Sequence, residues 1–258
     1  MTIIRKTPEE IDRIAAAGDI LARCLALLKG EARAGVTTAQ LDEVAERFIR
    51  SQNAEPAFKG YRGFPGSICA SPNSMVVHGI PGPYKLERGD ILSMDVGVVY
   101  DGWVADAAIT LPIGAVTPIA QRLLKVTRDA LFEAVETCRL GNRLGDVSHA
   151  VQNHVEAHGF SVIRSLVGHG IGRDMHEDPQ IPNFGNPDTG PELEEGMVFA
   201  VEPMVNAGAH PIRMASDNWS VYSQDGSLAA HFEHTVAVTA EGPRILTPWH
   251  LQEERRAA

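Results

Sequence analysis

Apolar side chains near the start of the chain recur three and four residues apart, which is the spacing of one buried helix face. Thr7, Pro8 and Glu10 precede them in the order typical of a capped helix start. The pattern therefore predicts a helix from Thr7 to about Gly30, and we expect a second helix over residues 38–51.

The segment after these helices has a different composition. Residues 55–80 are rich in glycine, proline and aromatic side chains, which is typical of an irregular loop. The remaining elements are predicted as strands over 91–100 and 103–111, helices from Thr117-Pro118 to about Gly141 and over 143–158, and strands near 197–206 and 230–239. Two helices and a pair of strands therefore occur twice along the chain.

The two parts of the chain also resemble each other in sequence. Leu86-Glu87-Arg88-Gly89-Asp90-Ile91-Leu92-Ser93-Met94-Asp95 is similar to Leu193-Glu194-Glu195-Gly196-Met197-Val198-Phe199-Ala200-Val201-Glu202. Upstream of each stretch, His78-Gly79-Ile80 is similar to His169-Gly170-Ile171. We therefore expect an α+β fold built from two pseudo-symmetric halves.

No linker rich in serine, glycine or proline separates the repeats. This favours one domain over residues 1–258, with halves of about 7–115 and 116–246, over the alternative of two separate domains. The composition is 44% hydrophobic and 22% charged, which is typical of a globular protein. No apolar run is long enough to span a bilayer, and the start of the chain shows no secretory signal pattern.

Charge and cysteine content narrow the classes of function. The net charge of -10 disfavours a nucleic-acid binder, which normally has a basic surface. The three widely spaced cysteines, Cys24, Cys69 and Cys138, suit the reducing cytoplasm better than a disulfide framework. We expect a cytoplasmic protein that binds neither nucleic acid nor membrane.

Two aspartates lie inside strands that are otherwise apolar. Asp101-Gly102 is a strong signal for a two-residue hairpin, which would pair Gly97 with Asp106. Asp95 would then be a diagonal cross-strand neighbour of Asp106 on the same face. No lysine or arginine occurs within residues 89–121 to neutralise them. A metal ion that contacts both carboxylates is the functional interpretation; solvent exposure is the ordinary one.

Glu202 and Glu233 repeat this arrangement in the second half, each within an apolar run. If the halves fold symmetrically, all four acids meet near one axis, where two divalent cations would neutralise them. Gly168-His169-Gly170-Ile171-Gly172 is too rich in glycine for a helix and indicates a close backbone approach.

The other histidines divide into candidates and surface residues. His176, and His78 in the matching loop of the first half, are candidates for ligand or acid–base roles. His231 and His234 flank Glu233, and the pattern does not decide whether either one belongs to the site. The surface histidines are expected to include His149, His154 and His158 on the fourth helix.

Five motifs resemble the methionine aminopeptidases of type I. They are Val77-His78-Gly79-Ile80-Pro81, the Asp95 to Asp106 spacing, Gly168-His169-Gly170-Ile171-Gly172, Val201-Glu202-Pro203-Met204 and Phe232-Glu233-His234-Thr235. The similarity is collinear from about Ile11 to Leu246. It implies a pita-bread fold, with a curved antiparallel sheet and helices on its outer face.

The resemblance also implies the residues of the site. Two divalent ions (Mn, Fe, Co or Zn) would be held by Asp95, Asp106, His169, Glu202 and Glu233. His78, His176 and Glu202 would be catalytic, and both histidines would contact substrate. The methionine side chain would be bound by Phe58, Tyr61, Phe64, Cys69 and Trp219, with Met175 nearby.

One stretch departs from the family pattern. Asp106 is usually preceded by His-Gly and followed by Thr, whereas Val104-Ala105 and Ala107 stand here. The change alters the hydrogen bonds around a ligand but leaves the ligand itself in place.

The reaction implied is removal of the initiator methionine from nascent proteins, with a small second residue, by a monomer that acts near the ribosome. One rival is a Xaa-Pro peptidase of the same fold, which usually carries an additional N-terminal domain. Type II enzymes usually carry an insertion between the residues matching His176 and Glu202, which are close together here. The other rival is an inactive binding module, against which five intact ligands argue.

Overall fold

A computed structural model describes residues 2–251 of the chain. Its helices are α1 (Pro8–Glu31), α2 (Thr38–Ser51), α3 (Pro118–Thr137) and α4 (Leu144–Ala157). Thr7 and Glu10 form the predicted capping box at the start of α1. α3 ends at Thr137 rather than near Gly141, which instead adopts a φ of 88° in the following turn. Within residues 2–251, none of the helices is long and apolar enough to cross a membrane.

Strands make up most of the remaining structure. They are β1 (Glu55–Pro56), β2 (Cys69–Pro72), β3 (Met75–Val77), β4 (Ile91–Tyr100), β5 (Trp103–Pro112), β6 (Ser161–Val162), β7 (Val167–Gly170), β8 (Glu177–Pro182), β9 (Val198–Val201), β10 (Met204–Asn206), β11 (Ile212–Met214), β12 (Val221–Ser223), β13 (Ala229–His231), β14 (His234–Thr239) and β15 (Gly242–Ile245). The segment 55–80 is therefore not a loop throughout. β1 and β2 pair with β4, so the backbone of this segment completes the hydrogen bonds of that strand.

The hairpin of β4 and β5 has the register predicted from Asp101-Gly102. Tyr100 pairs with Trp103 and Gly97 pairs with Asp106, which places Asp95 opposite Ala108. α1 packs across both strands. The hairpin therefore belongs to a four-stranded sheet, completed by β1 and β2, and α1 packs on its two long strands.

The two predicted strands of the second half are each broken in the middle. The strand expected over 197–206 is split into β9 and β10 at Glu202-Pro203, and that expected over 230–239 is split into β13 and β14 at Phe232-Glu233. Pro203 has no amide N–H for a ladder, and the amide of Glu233 donates to Ala108 O on β5 instead. Both predictions of a continuous strand were wrong for this reason.

At these breaks the chain passes from one sheet to another. β9 and β14 pair with each other in an antiparallel sheet of order β15-β14-β9-β7-β8, whereas β10 and β13 pair with each other beside β6. α3 packs against α4 and also contacts β13 and β15. The proposed boundaries at 7–115 and 116–246 stay a prediction, and residues 1 and 252–258 of the expected single domain lie outside the described residues.

A buried ion pair fastens the N-terminal segment to the second half. Lys6 Nζ donates to Glu177 Oε2, and only 2% and 5% of the two side chains are exposed. The other oxygen of Glu177 accepts from the amides of Arg173 and Asp174. The pair therefore orders the loop that ends at His176, the residue before Glu177.

We predict that Lys6→Met lowers the free energy of unfolding by about 3–5 kcal/mol, because it leaves the carboxylate of Glu177 buried without its cation. The double variant Lys6→Met/Glu177→Gln should recover most of the loss, since the substituted glutamine side chain is neutral and still accepts the loop amides. Urea unfolding of the metal-free protein measures both.

The adjacent residue supplies a matched control. Arg5 pairs with Glu194 at the surface, so Arg5→Met should change the free energy of unfolding by less than about 1 kcal/mol. A loss for Lys6→Met no greater than that for Arg5→Met would contradict the interpretation.

Candidate metal centre

The structure brings together the five residues expected to hold metal. Asp95 lies on β4, Asp106 on β5 and His169 on β7, while Glu202 and Glu233 lie at the two strand breaks. All five line one cavity of about 280 Å³. Their side chains are almost entirely withdrawn from solvent.

The two aspartates reach the cavity because they are diagonal neighbours across the hairpin. The backbone of Asp106 is held from the second half, since its amide donates to Thr235 Oγ1 and its carbonyl accepts from the same hydroxyl. Thr235 follows Glu233 by two residues, so one hydroxyl keeps two of the acids in register.

Glycines on either side of His169 allow β7 to pass between β8 and β9. A Cβ at Gly168 would lie 2.4 Å from Ala200 O, and one at Gly170 would lie 2.2 Å from Asp178 O. This is the close approach that the glycine pattern predicted. His169 Nδ1–H donates to Gly170 O at 2.9 Å, so Nε2 keeps its lone pair and lies 3.6 Å from Glu202 Oε1.

The buried carboxylates fit divalent cations. Burial raises the pKa of Asp95 to about 7. Burial, reinforced by the neighbouring acids, raises the pKa values of Asp106, Glu202 and Glu233 well above their usual range. Within residues 2–251, one oxygen of each of Asp95, Asp106 and Glu233 is buried without a hydrogen-bond partner.

Distances among the donors support the same conclusion. Ligand atoms of Asp106, His169 and Glu233 all lie within 4.8 Å of one another. Carboxylate oxygens with an imidazole nitrogen are the donor set of Mn, Fe, Co and Zn ions. The residues present therefore fit the metal centre that the sequence predicted.

The two expected catalytic histidines lie on the cavity wall. His176 stacks on Tyr61, and Tyr61 Oη is 2.8 Å from His176 Nδ1. His78 has a φ of 58°, a strained conformation for a non-glycine residue, and its ring lies edge-on to Trp219. Burial lowers the pKa of both histidines, and for His176 nearby Arg62 lowers it further, which disfavours the charged form of each ring.

The side chains expected to bind methionine mostly line the same cavity. Phe58, Phe64, Cys69 and Trp219 line the cavity, and Phe64 lies edge-on to both Phe58 and Trp219. Tyr61 also lines it, although its hydroxyl contacts His176 rather than open space. Met175 is buried but is not among the residues that line the cavity; a Cβ at Gly97 would lie 2.8 Å from both Met175 and Phe58.

The structure separates the two histidines that the pattern left open. His231 lines the cavity. His234 lies on the opposite side, stacked on Trp249, with Nδ1 3.1 Å from Thr247 Oγ1. The chain passes from one sheet to another between His231 and His234, so strand periodicity does not separate the two histidines.

Further lining residues were not anticipated from the sequence. They are Arg62, Val77, Ser165, Leu166, Val167 and Met204. Of the histidines expected at the surface, His158 is exposed, while His149 and His154 are half-buried and contact Gly185 O and Glu133 respectively. Packing of α4 against neighbouring loops and α3 covers these two rings.

Comparisons with known proteins all identify similarity to metallopeptidases. The model of metallopeptidase family M24 matches residues 12–240. The methionine aminopeptidase of Clostridium acetobutylicum is 50% identical over 246 residues, which cover 95% of this chain and 98% of that protein. Methionine aminopeptidase 1 of Bacillus subtilis is 49% identical over 245 residues, covering 95% and 99%.

Solved structures agree. The methionine aminopeptidase of Rickettsia prowazekii superposes with a TM-score of 0.94 at 42% identity, covering 95% of this chain and 100% of that one. The prolidase of Pyrococcus furiosus reaches a TM-score of 0.78 at 23% identity, and this chain covers 65% of it. At that identity the likeness concerns the fold alone. The expected pita-bread fold is confirmed.

We predict that divalent ions displace protons when they bind, because burial raises the pKa values of the four acids in the metal-free protein. Apparent affinity should therefore increase with pH through neutrality, and the number of protons released should fall as pH rises. Calorimetric titration with Mn²⁺ in two buffers of different ionisation enthalpy measures the release. Identical heats in both buffers would contradict the prediction.

Proposed function

The chain belongs to metallopeptidase family M24, and from that membership we propose that it removes methionine from the N-termini of newly made proteins. The observation that carries the proposal is that five donors largely withdrawn from solvent line one cavity together with several aromatic and apolar side chains. Full-length identity of about one half to methionine aminopeptidases supports the same substrate.

The metal-dependent hydrolase holds divalent ions, and we propose two per chain. Asp95, Asp106, His169, Glu202 and Glu233 would hold them. When bound, the ions supply Lewis acidity and lower the pKa of a water at the site.

The protein's own groups perform the proton transfers and hold the substrate. Glu202 is the general base, because it lies among the ligands and can accept a proton from the attacking water. Tyr61 donates its hydroxyl hydrogen to His176 Nδ1, which leaves Nε2–H to donate to the carbonyl oxygen as negative charge develops there. His78 contacts the nitrogen of the bond that breaks and assists its departure.

The side chain of the substrate methionine occupies the apolar part of the cavity. Phe58, Phe64 and Trp219 present ring edges and faces there, and Cys69 adds a soft, polarisable atom. A thioether makes favourable contacts with aromatic rings, so these walls prefer methionine to a polar or branched side chain.

The same proposal covers the oligomeric state, the cellular location and the substrates of the enzyme. It acts as a monomer on nascent chain ends near the ribosome, in the cytoplasm, and prefers a small second residue. All three cysteines are buried and unbridged, which suits that compartment.

We predict that the purified protein, supplied with Mn²⁺, Fe²⁺, Co²⁺ or Zn²⁺, releases methionine from Met-Ala-Ser and leaves Ala-Pro-Ala intact. Chromatography of the products measures both reactions. Cleavage of only the proline peptide would assign the Xaa-Pro activity instead, and inactivity with every metal would favour a binding module.

We predict that Asp95→Asn loses bound metal and activity together, since the amide removes a charge and one ligand oxygen.

His176→Ala should lower kcat by about 10²–10³-fold and keep its metal, because its ring stabilises developing charge without ligating. Metal content by mass spectrometry, beside kcat, separates the two. Asp101→Asn, at the exposed turn of the same hairpin, is the matched control and should change neither. Loss of metal in His176→Ala would refute its assigned role.

A further inference from the structure

His231 lies in the metal centre although neither the mechanism nor the family motifs use it. It ends β13, and its backbone is held on both sides by Thr110: the amide of His231 donates to Thr110 Oγ1 at 2.9 Å, and its carbonyl accepts from that hydroxyl at 2.8 Å. Thr110 Oγ1 also contacts Ser93 Oγ on β4. The backbone of His231 is therefore fixed against the hairpin that carries the two aspartates.

The ring of His231 is buried without a hydrogen-bond partner. Its side chain is 2% exposed, and within residues 2–251 neither Nδ1 nor Nε2 has a partner. A buried polar atom left unpaired costs about 1–3 kcal/mol, so an unused imidazole at this place needs a physical reason.

The nearest polar atoms belong to two of the expected ligands. His231 Nε2 lies 3.7 Å from Glu202 Oε2 and 3.8 Å from Glu233 Oε2. Both separations are too long for hydrogen bonds. Donor atoms that share one ion at about 2.0–2.2 Å lie roughly 3.0–3.6 Å apart, and the two separations are only slightly longer than that.

His169 shows the same relation to the same carboxylate. Its Nε2 lies 3.6 Å from Glu202 Oε1, whereas His231 Nε2 lies 3.7 Å from Glu202 Oε2. The two oxygens of Glu202 are thus each flanked by one imidazole nitrogen at nearly equal distance.

We propose that His231 is an additional metal ligand of this centre, through Nε2, at the position shared with Glu202 and Glu233. The proposal rests on the metal centre of the proposed function and extends its ligand set. With two imidazoles, the centre is richer in nitrogen than five ligands alone would make it. It should therefore favour later transition ions such as Co²⁺ over Mn²⁺, which prefers oxygen donors.

The test is metal binding by His231→Gln, which is neutral, polar and shorter than histidine. Calorimetric titration of the metal-free protein should show Co²⁺ affinity reduced about 10–100-fold and Mn²⁺ affinity reduced less. The visible absorption of the Co²⁺ protein should change in position or intensity, because one nitrogen donor is lost. His210→Gln, which replaces an exposed imidazole, is the matched control and should alter neither quantity.

A measurement on the unaltered protein covers the case in which His231→Gln does not fold. Proton NMR of the Co²⁺-loaded enzyme should contain two exchangeable, strongly shifted imidazole N–H signals, one from His169 and one from His231. A single such signal, or unchanged Co²⁺ affinity and spectrum in a folded His231→Gln, would overturn the proposal.

Failure of this proposal is distinct from failure of the proposed function. An enzyme that cleaves Met-Ala-Ser but shows one shifted imidazole has the proposed function without the additional ligand. An enzyme that shows two shifted imidazoles but cleaves no methionine peptide retains the ligand and lacks the function.

Discussion

Four carboxylates buried in one cavity are the constraint on which the rest of the structure depends. Each is raised in pKa by burial, and three carry an oxygen without a partner among the described residues. Such an arrangement is unfavourable as a set of free anions and favourable only with protons or cations present. The surrounding backbone has to hold these groups together against their mutual repulsion.

Breaks in the strands of the second half help to hold the four carboxylates together. The β4–β5 hairpin supplies Asp95 and Asp106 from a regular ladder, whereas Glu202 and Glu233 lie where strands leave one sheet for another. Backbone groups freed at the breaks find partners across the halves, as in the amide of Glu233 and the carbonyl of Ala108. The relative positions of the carboxylates that would bind metal are therefore determined by hydrogen bonds that join the two halves.

The imidazoles around the centre differ in how their rings are held. Gly170 O orients His169, and the hydroxyl of Tyr61 orients His176, so each has one nitrogen committed to the protein and one left for function. Among residues 2–251, the hydrogen bonds of His231 are made by its backbone and not by its ring. That difference is why the first two have assignable roles from hydrogen bonding, and why the role of His231 rests on its distances to Glu202 and Glu233.

Local pattern in the chain was enough to place the helices, the register of the β4–β5 hairpin and the meeting of Asp95 with Asp106, because caps, turn residues and strand periodicity act over a few neighbouring residues. The internal repeat and the motifs extended this to His169, Glu202 and Glu233, which the structure brings to one cavity. Three features were decided only by tertiary structure: the breaks at Glu202 and Glu233, the contact of Tyr61 with His176, and the placement of His231 inside the cavity with His234 outside. Each depends on contacts between residues that are distant in sequence. The residues next to a buried polar group do not show which distant residue will be its hydrogen-bond partner.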